Sequence, residues 1–526
     1  MTEWWKSGIV YQIYPRSFQD TTGNGVGDIQ GIIQRLDYLA WLGVDAIWIS
    51  PFYPSPMADF GYDISDHCDI HPLFGNLTDL DELITEAHRK NLKIILDYVP
   101  NHTSEEHPWF VESKSSCHNP KRDWYIWRDA QPDGSPPNNW VSYFGGQSSW
   151  EWHEETQQYY LHSFLKEQPD VNWRHPEARK AMLDIIRFWY ARGVDGIRVD
   201  ATIVSMKDAD FKDDPLNPDW IEGEDPFYRV LHVHSENVPE IHDYNRWLRQ
   251  TNDEFDDRLL IGETYLNTAD LVSYYGNGDE FHLPYNFQLI TTAWNATAVK
   301  SLVDSYDAAM PDFAWPSWAL GNHDRHRIAT RVGADQASVA MTLLLTLRGT
   351  STIYYGDEIG MENVPIPPEK EIDPWGILSP GLGLGRDPER TPMQWENSPN
   401  ADFCEADVPP WLPLSADYAS KNVQVQRYQP LSMLNITRTL LSLRKERPEL
   451  GLGQYLALAG GEGVFAFGRQ LDNRHCIIVL NMTADYQDWP LADGAQGLEV
   501  IYSNQEQYEL QTAVLKLQPN QAIILG

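Results

Sequence analysis

Arg198 and Asp200 stand two positions apart in the stretch Gly196-Ile-Arg-Val-Asp200-Ala201. In a strand, residues i and i+2 point to the same face. A guanidinium beside a carboxylate keeps it ionised, and an ionised carboxylate at the end of a buried strand can serve as a nucleophile. Alone, the pair reads better as a structural ion pair in an α/β core; the rest of the chain reverses that. Two more carboxylates follow apolar runs in the same way. Glu263 comes after Leu259-Leu-Ile-Gly, and Asp324 after Trp318-Ala-Leu-Gly-Asn-His. Converging carboxylates, one ionised and one protonated, suffice for glycoside hydrolysis. Arg198 would hold Asp200 charged. Glu263, behind a buried Ile-Gly, is expected to have the raised pKa that a general acid needs. Asp324 is expected to bind substrate hydroxyls. His102 and His323 can donate to sugar hydroxyls, and Tyr62 offers a flat face to a pyranose ring. Singly, each histidine reads as a satisfied core residue.

These residues need a scaffold that brings distant strand ends together. Strands are expected at Ile9–Tyr14, Asp45–Ser50, Lys93–Val99, Gly196–Asp200, Leu259–Ile261, Trp318–Leu320 and Thr352–Tyr355. Helical spacing of Ile32, Leu36 and Leu39, then of Leu80, Leu83, Ile84 and Ala87, and later of Met182, Ile185, Ile186 and Trp189, fills the intervals. Gly43 and Gly193 read as helix stops. Alternation with short connections predicts a parallel sheet covered by helices. Asp97, Asp200, Glu263 and Asp324 all fall at C-terminal strand ends, where a (β/α)₈ barrel carries its active site. No G-x-G-x-x-G follows the first strand, so strand number and chain length favour the barrel over a doubly wound sheet.

From Asn101 to about Asn172 the periodicity stops in a stretch rich in Pro, Gly, Ser and Trp. That is too long for a loop within a compact domain, and it predicts an inserted subdomain. Residues 205–240 form a second polar excursion. An amphipathic helix near Leu434–Leu443 precedes short alternating strands at Gly463–Phe467, Cys476–Leu480 and Ala522–Leu525, which predict a small antiparallel β domain. A chain of 526 residues requires more than one core. A formal net charge of −36 argues against nucleic acid and anionic membrane as partners. The 21 Trp and 26 Tyr exceed what a core of this size needs and suit stacking on sugars. Cys68, Cys117, Cys404 and Cys476 show no paired spacing and read as reduced thiols in a cytoplasm. Met1–Lys6 lacks an apolar signal core. The longest apolar run, Ala337–Leu347, falls short of the roughly 20 residues that span a bilayer and reads as a core helix. In Asp20-Thr-Thr-Gly-Asn-Gly-Val-Gly-Asp28, oxygen-bearing groups occupy positions 1, 3, 5 and 9, with a carbonyl at 7. This matches the first part of a calcium loop. It lacks the distal bidentate Glu, and Thr22 and Asn24 are neutral, so a metal-free Gly-rich turn is the competing reading.

Several blocks together carry a resemblance. Asp97-Tyr-Val-Pro-Asn-His102, Gly196-Ile-Arg-Val-Asp200, Gly262-Glu263-Thr and Asn322-His-Asp324 resemble the four signature blocks of the α-amylase superfamily, glycoside hydrolase family 13. Gln168-Pro-Asp-Val-Asn-Trp173 resembles its fifth block in the α-glucosidase and oligo-1,6-glucosidase group, as do Gly61-Tyr-Asp-Ile64 and Arg386-Asp-Pro-Glu-Arg-Thr-Pro-Met-Gln-Trp395. The likeness runs from Trp4 to about Leu450. It implies a (β/α)₈ TIM barrel over 1–102 and 173–448, an inserted domain B over 103–172, and a C-terminal β-sandwich over 449–526.

By the resemblance, Asp200 is the nucleophile, Glu263 the acid/base and Asp324 the transition-state stabiliser. Asp59, Tyr62, Asp97, His102, Arg198 and His323 surround the terminal glucose, with Phe144 and Phe164 as aromatic neighbours. Arg386, or else Arg390, is the partnering arginine. Asp20, Thr22, Asn24, Val26 and Asp28 match the group's metal loop, for structural Ca²⁺ or Mg²⁺. No cofactor is implied for catalysis. The implied activity is a retaining α-glucosidase acting on short α-glucosides, with transglucosylation beside it. In similar enzymes a Val after the nucleophile accompanies α-1,6 cleavage, and Thr or Ala accompanies α-1,4. Ala201 therefore points to maltose-like substrates, with an oligo-1,6-glucosidase as an alternative. Rival readings are a glucosyl-transferring isomerase of the trehalose synthase or sucrose isomerase type and a non-enzymatic transporter heavy chain, whose membrane anchor this chain lacks. The expected partners are small sugars, including maltose, malto-oligosaccharides and sucrose. A cytoplasmic monomer or small homo-oligomer completes the expectation.

Overall fold

A computed structural model describes residues 3–491 and 494–526. Met1 and Thr2, at the start of the expected leaderless N-terminus, lie outside them. The chain opens with β1 (Ile9–Ile13), β2 (Ala46–Ile49) and β3 (Lys93–Tyr98). A separate antiparallel sheet follows, made of β4 (Trp127–Arg128), β5 (Trp150–His153) and β6 (Gln158–Leu161), in the order β4-β6-β5. Then come β7 (Gly196–Val199), β8 (Leu259–Thr264), β9 (Leu283–Asn286), β10 (Ser317–Ala319) and β11 (Thr350–Tyr354). β1–β3 and β7–β11 form one parallel sheet in the order β10-β11-β1-β2-β3-β7-β8-β9. Its free edges meet at a side chain: the Ser317 hydroxyl donates to Pro284 O across 2.8 Å and accepts from Asn286 N across 3.3 Å. The result is a nearly closed eight-stranded TIM barrel.

Sequence reading gave seven of these strands and missed β9. Pro284 in a four-residue run argues against a strand, because Pro cannot donate to a ladder. Here it falls in the strand beside the seam, where the Ser317 hydroxyl takes over part of the pairing. β8 also runs three residues beyond the expected Ile261, so Glu263 lies within the strand instead of after it. Gly262 is needed there, since a Cβ would meet the Phe281 ring at 2.9 Å.

The helices form where the apolar spacing places them. Leu77–Arg89 buries Leu80, Leu83, Ile84 and Ala87, and is capped by Asn76, with Asp79 reaching back to complete a capping box. Pro176–Ala191 starts with Pro at its first position and buries Met182, Ile185, Ile186 and Trp189. Gly193, with φ 103°, turns the chain after it toward β7. The run from Ile29 is two helices, Ile29–Gln34 and Leu36–Leu42, broken at Arg35. Each fully buried Leu or Ile on these faces contributes about 1.5–3 kcal/mol. The apolar Ala337–Thr346 helix has all but Ser338 buried. Among the described residues no helix is long and apolar enough to cross a membrane.

After the helix Met433–Glu446, the chain forms β12 (Gln454–Ala457), β13 (Val464–Leu471), β14 (Arg474–Asn481), β15 (Gln487–Pro490), β16 (Val500–Ser503), β17 (Glu509–Leu510), β18 (Val514–Leu517) and β19 (Ala522–Leu525). They pair antiparallel in two sheets, β12-β13-β14-β19-β16 and β15-β18-β17. Val464, Ala466, Ile477, Val479, Trp489, Leu515, Leu517 and Ile523 form a shared core. The four cysteines are unpaired.

The Asp20–Asp28 loop holds itself together. Asp20 Oδ1 accepts from Thr22 N and Gly23 N, and Oδ2 from Gly25 N. Asp28 caps the helix at Ile29 by accepting from Gly31 N, and also takes the Thr21 N–H and O–H. Asn24 Oδ1 accepts from Val26 N. Every carboxylate oxygen thus has a donor inside the loop. Among the described residues no group of three or more His, Cys, Asp or Glu is arranged to hold a metal ion.

Candidate active site

Arg198 is the hub of the barrel mouth. It leaves β7 and is 1% exposed. Its Nη1 donates to Asp97 Oδ1 (2.8 Å) and Asp200 Oδ1 (2.7 Å), and its Nη2 lies 2.7 Å from Glu263 Oε1. Three strands, β3, β7 and β8, deliver these carboxylates. One cation offsets their repulsion in a water-poor setting, where an unpaired charge costs several kcal/mol. Asp97 is fully enclosed, and burial pushes it up to about 6 against the pull of Arg198. Burial, then the Glu263 charge, raises the Asp200 carboxyl well above the carboxylate range, with Arg198 opposing. Arg198 therefore does not by itself hold Asp200 in the ordinary carboxylate range, as their spacing in the sequence had led one to expect, because burial outweighs it.

Asp324 has a different setting. Arg390 Nη2 donates to its Oδ1 at 2.9 Å and Arg386 Nη1 at 3.2 Å. Burial opposes ionisation, but His323 and these arginines hold its carboxyl far below the usual range. Arg386 also grips Asp59 Oδ1 (2.6 Å) and Asp373 Oδ1 (2.7 Å) and lies over the Phe144 ring at 4.8 Å. Burial lifts Asp59 to about 6 despite Arg386.

These groups line a cavity of about 200 Å³ at the barrel mouth. Asp59, Tyr62, His102, Phe144, Phe164, Asp200, Ala201, Glu263, Asp324 and Arg386 all border it. Three expected substrate contacts lie beneath its floor. Arg198 and Asp97 are enclosed in the ion cluster. His323 has both ring nitrogens engaged, Nδ1 with Gln12 Nε2 (2.7 Å) and Nε2 with the Tyr62 hydroxyl (2.5 Å). Its ring stacks on Tyr62 at 5.4 Å, and burial holds its pKa well below the ordinary value. In this structure His323 positions Tyr62 and Asp324, and no ring nitrogen is free for a hydroxyl. His102 stays at the cavity, neutral because burial lowers it to about 4, with Nε2 3.0 Å from Gln168 Nε2. Arg390 is fully buried and fastened to His323 O, which leaves Arg386 as the arginine facing the cavity.

The rest of the wall was missed. Tyr143, Ile203, Val204, Phe227, Tyr228, Glu236, Tyr265, Arg325 and Trp375 also line the cavity. Tyr265 and Arg325 directly follow the Glu263 and Asp324 blocks, so position along the strand ends could have flagged them. Phe227, Tyr228 and Glu236 come from the stretch at 205–240, which was read only as a polar excursion. Trp375 comes from a short helix, Pro374–Leu378, in a stretch whose sequence shows no apolar period.

A parallel barrel with carboxylates from three strand ends around a sugar-sized hollow is the architecture of a glycoside-bond enzyme. A family model described as "Alpha amylase, catalytic domain" matches residues 12–453. A probable alpha-glucosidase of Rhizobium meliloti is 41% identical over 498 residues, covering 91% of this chain and 90% of that protein. The crystal structure of an α-glucosyl transfer enzyme superposes with a TM-score of 0.95 at 39% identity, covering 100% of this chain and 99% of that one. That of a trehalulose synthase variant gives 0.91 at 33%, covering 99% of each chain. The chain belongs to the α-amylase family, glycoside hydrolase family 13, in its α-glucosidase group.

Proposed function

We propose that the protein is a retaining α-glucosidase that releases glucose from the non-reducing end of short α-1,4-glucosides such as maltose. The observation that carries this is the Arg198 fork, which holds Asp200 and Glu263 side by side at the cavity. One guanidinium bridging both carboxylates favours the close spacing of retaining enzymes, about 5–5.5 Å, over the wider gap that admits a water. Asp200 attacks the anomeric carbon while Glu263 protonates the leaving oxygen. Asp324, kept ionised by its arginines, takes the sugar hydroxyls as the ring flattens. Arg386 and Asp59 close the far end around the terminal glucose, and Tyr62 and Phe164 cover its faces. Water then attacks the glucosyl–Asp200 ester, Glu263 accepts its proton, and the α configuration is restored. An acceptor hydroxyl that replaces water gives transglucosylation.

The linkage preference rests on Ala201, a small side chain at the cavity beside the nucleophile. Incubation with maltose, isomaltose and sucrose, followed by chromatography of products, tests the reading. Glucose released faster from maltose than from isomaltose is expected. Preference for isomaltose overturns the linkage assignment. Turnover of sucrose into an isomeric disaccharide instead of glucose and fructose supports the rival isomerase. The likeness to a trehalulose synthase is what keeps that rival in the test. The reading carries the division into a barrel (1–102 and 173–448), an inserted domain (103–172) and a C-terminal domain (449–526). It is supported by β4–β6 falling inside the second and β12–β19 inside the third.

A further inference from the structure

The cavity lining is mixed. Asp59, His102, Asp324 and Arg386 are its polar groups, while Ile203, Val204, Phe227, Tyr228 and Trp375 build an apolar and aromatic wall. Two charged side chains interrupt that wall. Arg325 is packed over the Tyr265 and Trp375 rings at 5.2 and 5.5 Å. Glu236 has no such cover and no ion-pair partner among the described residues. It comes from the polar excursion whose purpose the sequence did not reveal. The Tyr143 hydroxyl donates to its Oε2. Its Oε1 has no hydrogen-bond partner among the described residues. The anchor is rigid, since Tyr143 is stacked between Phe164 (4.9 Å, 20°) and Phe227 (4.1 Å, 28°). Phe227 is stacked in turn on His232 (3.8 Å, 16°), whose carbonyl accepts from Glu236 N across 3.3 Å. The Asn237 N–H, next to Glu236, donates to Ile203 O across 2.7 Å, and Ile203 lies two residues after Ala201, whose N–H holds Glu263; this sets the cluster on the acid/base side of the cavity, where the leaving group departs.

A half-buried carboxylate held in an apolar wall loses hydration and regains only one bond from the fold. A ligand hydroxyl returns the rest. We infer that Glu236 is a specificity-determining residue for the aglycone: its Oε1 accepts an O–H from a hydroxylated leaving group, such as the second glucose of maltose. The inference rests on the glucosidase reading above and assigns the recognition of that reading's second sugar. Tyr143 is the positioning residue, which fixes the carboxylate without touching the reacting atoms.

Glu236→Gln tests this with little change in shape. The Gln carbonyl still accepts from Tyr143, but the atom facing the cavity becomes an N–H₂ donor. The readout is the ratio of kcat/KM for maltose, whose aglycone carries hydroxyls, to that for p-nitrophenyl α-glucoside, whose aglycone carries none. A hydrogen bond to a charged group corresponds to roughly tenfold in affinity. The ratio is expected to fall about tenfold, through a higher KM for maltose. Equal losses on the two substrates, or an unchanged ratio, overturn the inference. If Gln at 236 does not fold, as judged by thermal melting, the same ratio measured on Glu236→Ala decides. If the wild-type enzyme releases glucose from neither substrate, the glucosidase reading has failed first, before the variant is made.

Discussion

The backbone N–H of Ala201 donates to Glu263 Oε2 across 2.8 Å. The residue after Asp200, the proposed nucleophile, thereby aims Glu263, the proposed acid/base. Ala201 does so with φ 46° and ψ 39°, in the left-handed region, where a branched Cβ carries more strain than a methyl. Linkage preference and acid/base geometry therefore meet at one position.

Ala201→Val is expected to cost about 1–2 kcal/mol in stability, from β-branched strain at positive φ. It should lower maltose turnover more than isomaltose turnover. Denaturant melts and the two rates check both parts. A variant as stable as the wild type, with unchanged linkage preference, would remove Ala201 from the argument.

Asp200→Ala should leave the fold intact and reduce kcat by a factor on the order of 10⁴–10⁶, as loss of a covalent nucleophile does. Circular dichroism with a maltose assay decides. Substantial residual turnover transfers the nucleophile role elsewhere.

The acid limb of kcat/KM should lie above the ordinary carboxylate range, because burial and then Glu263 raise Asp200. An α-glucosyl fluoride needs no protonation of its leaving group. On that substrate, Glu263→Gln removes the neighbouring charge, and the limb should move to lower pH. A limb that stays put, or rises, would show that the two carboxyls are not coupled.

Replacing Arg198 by Met leaves Asp97, Asp200 and Glu263 facing one another without a cation. Loss of one partner from a buried ion cluster costs about 3–5 kcal/mol. The expected result is a large drop in midpoint at neutral pH that shrinks as pH falls and the carboxyls take up protons. Melting from pH 4 to 8 tests the trend.

Asp357 supplies a stability test far from the chemistry. Burial raises it to about 7, against Arg327 3.6 Å away. A carboxyl raised in the folded state stabilises fully below its unfolded pKa, near 4, and that contribution disappears as pH climbs through 7. The stability of Asp357→Asn relative to wild type should therefore rise between pH 4 and 7 and level off beyond, whatever its fixed offset. A flat difference contradicts the assignment.

How much the sequence disclosed follows from the range of the forces involved. Seven barrel strands were visible because apolar runs ended in charged residues at each C-terminal edge. β9 was hidden because Pro284 masks a strand whose outer pairing comes from the Ser317 hydroxyl, a tertiary feature. Asp200, Glu263 and Asp324 sit in compact blocks and could be read directly. The placement of His323 below the floor could not, because it depends on Gln12 and Tyr62, which are remote along the chain. The aglycone wall was illegible for the same reason: Tyr143, Phe227, Glu236 and Trp375 come from stretches whose sequence shows no apolar period. The oxygens of the Asp20–Asp28 loop were legible from their spacing, whereas the backbone N–H groups that Asp20, Asn24 and Asp28 accept from were not, since they depend on how the turn closes.

The Ser317 seam has a mechanical implication. Elsewhere around the barrel a strand is zipped to its neighbour by a ladder of amides that must all part together. At this edge a lone hydroxyl stands in for the ladder, a few residues upstream of Asp324. We expect the Asn286 amide to exchange with deuterium ahead of its counterparts in β2 and β3, and breathing of the cylinder to begin beside the very wall that carries Asp324.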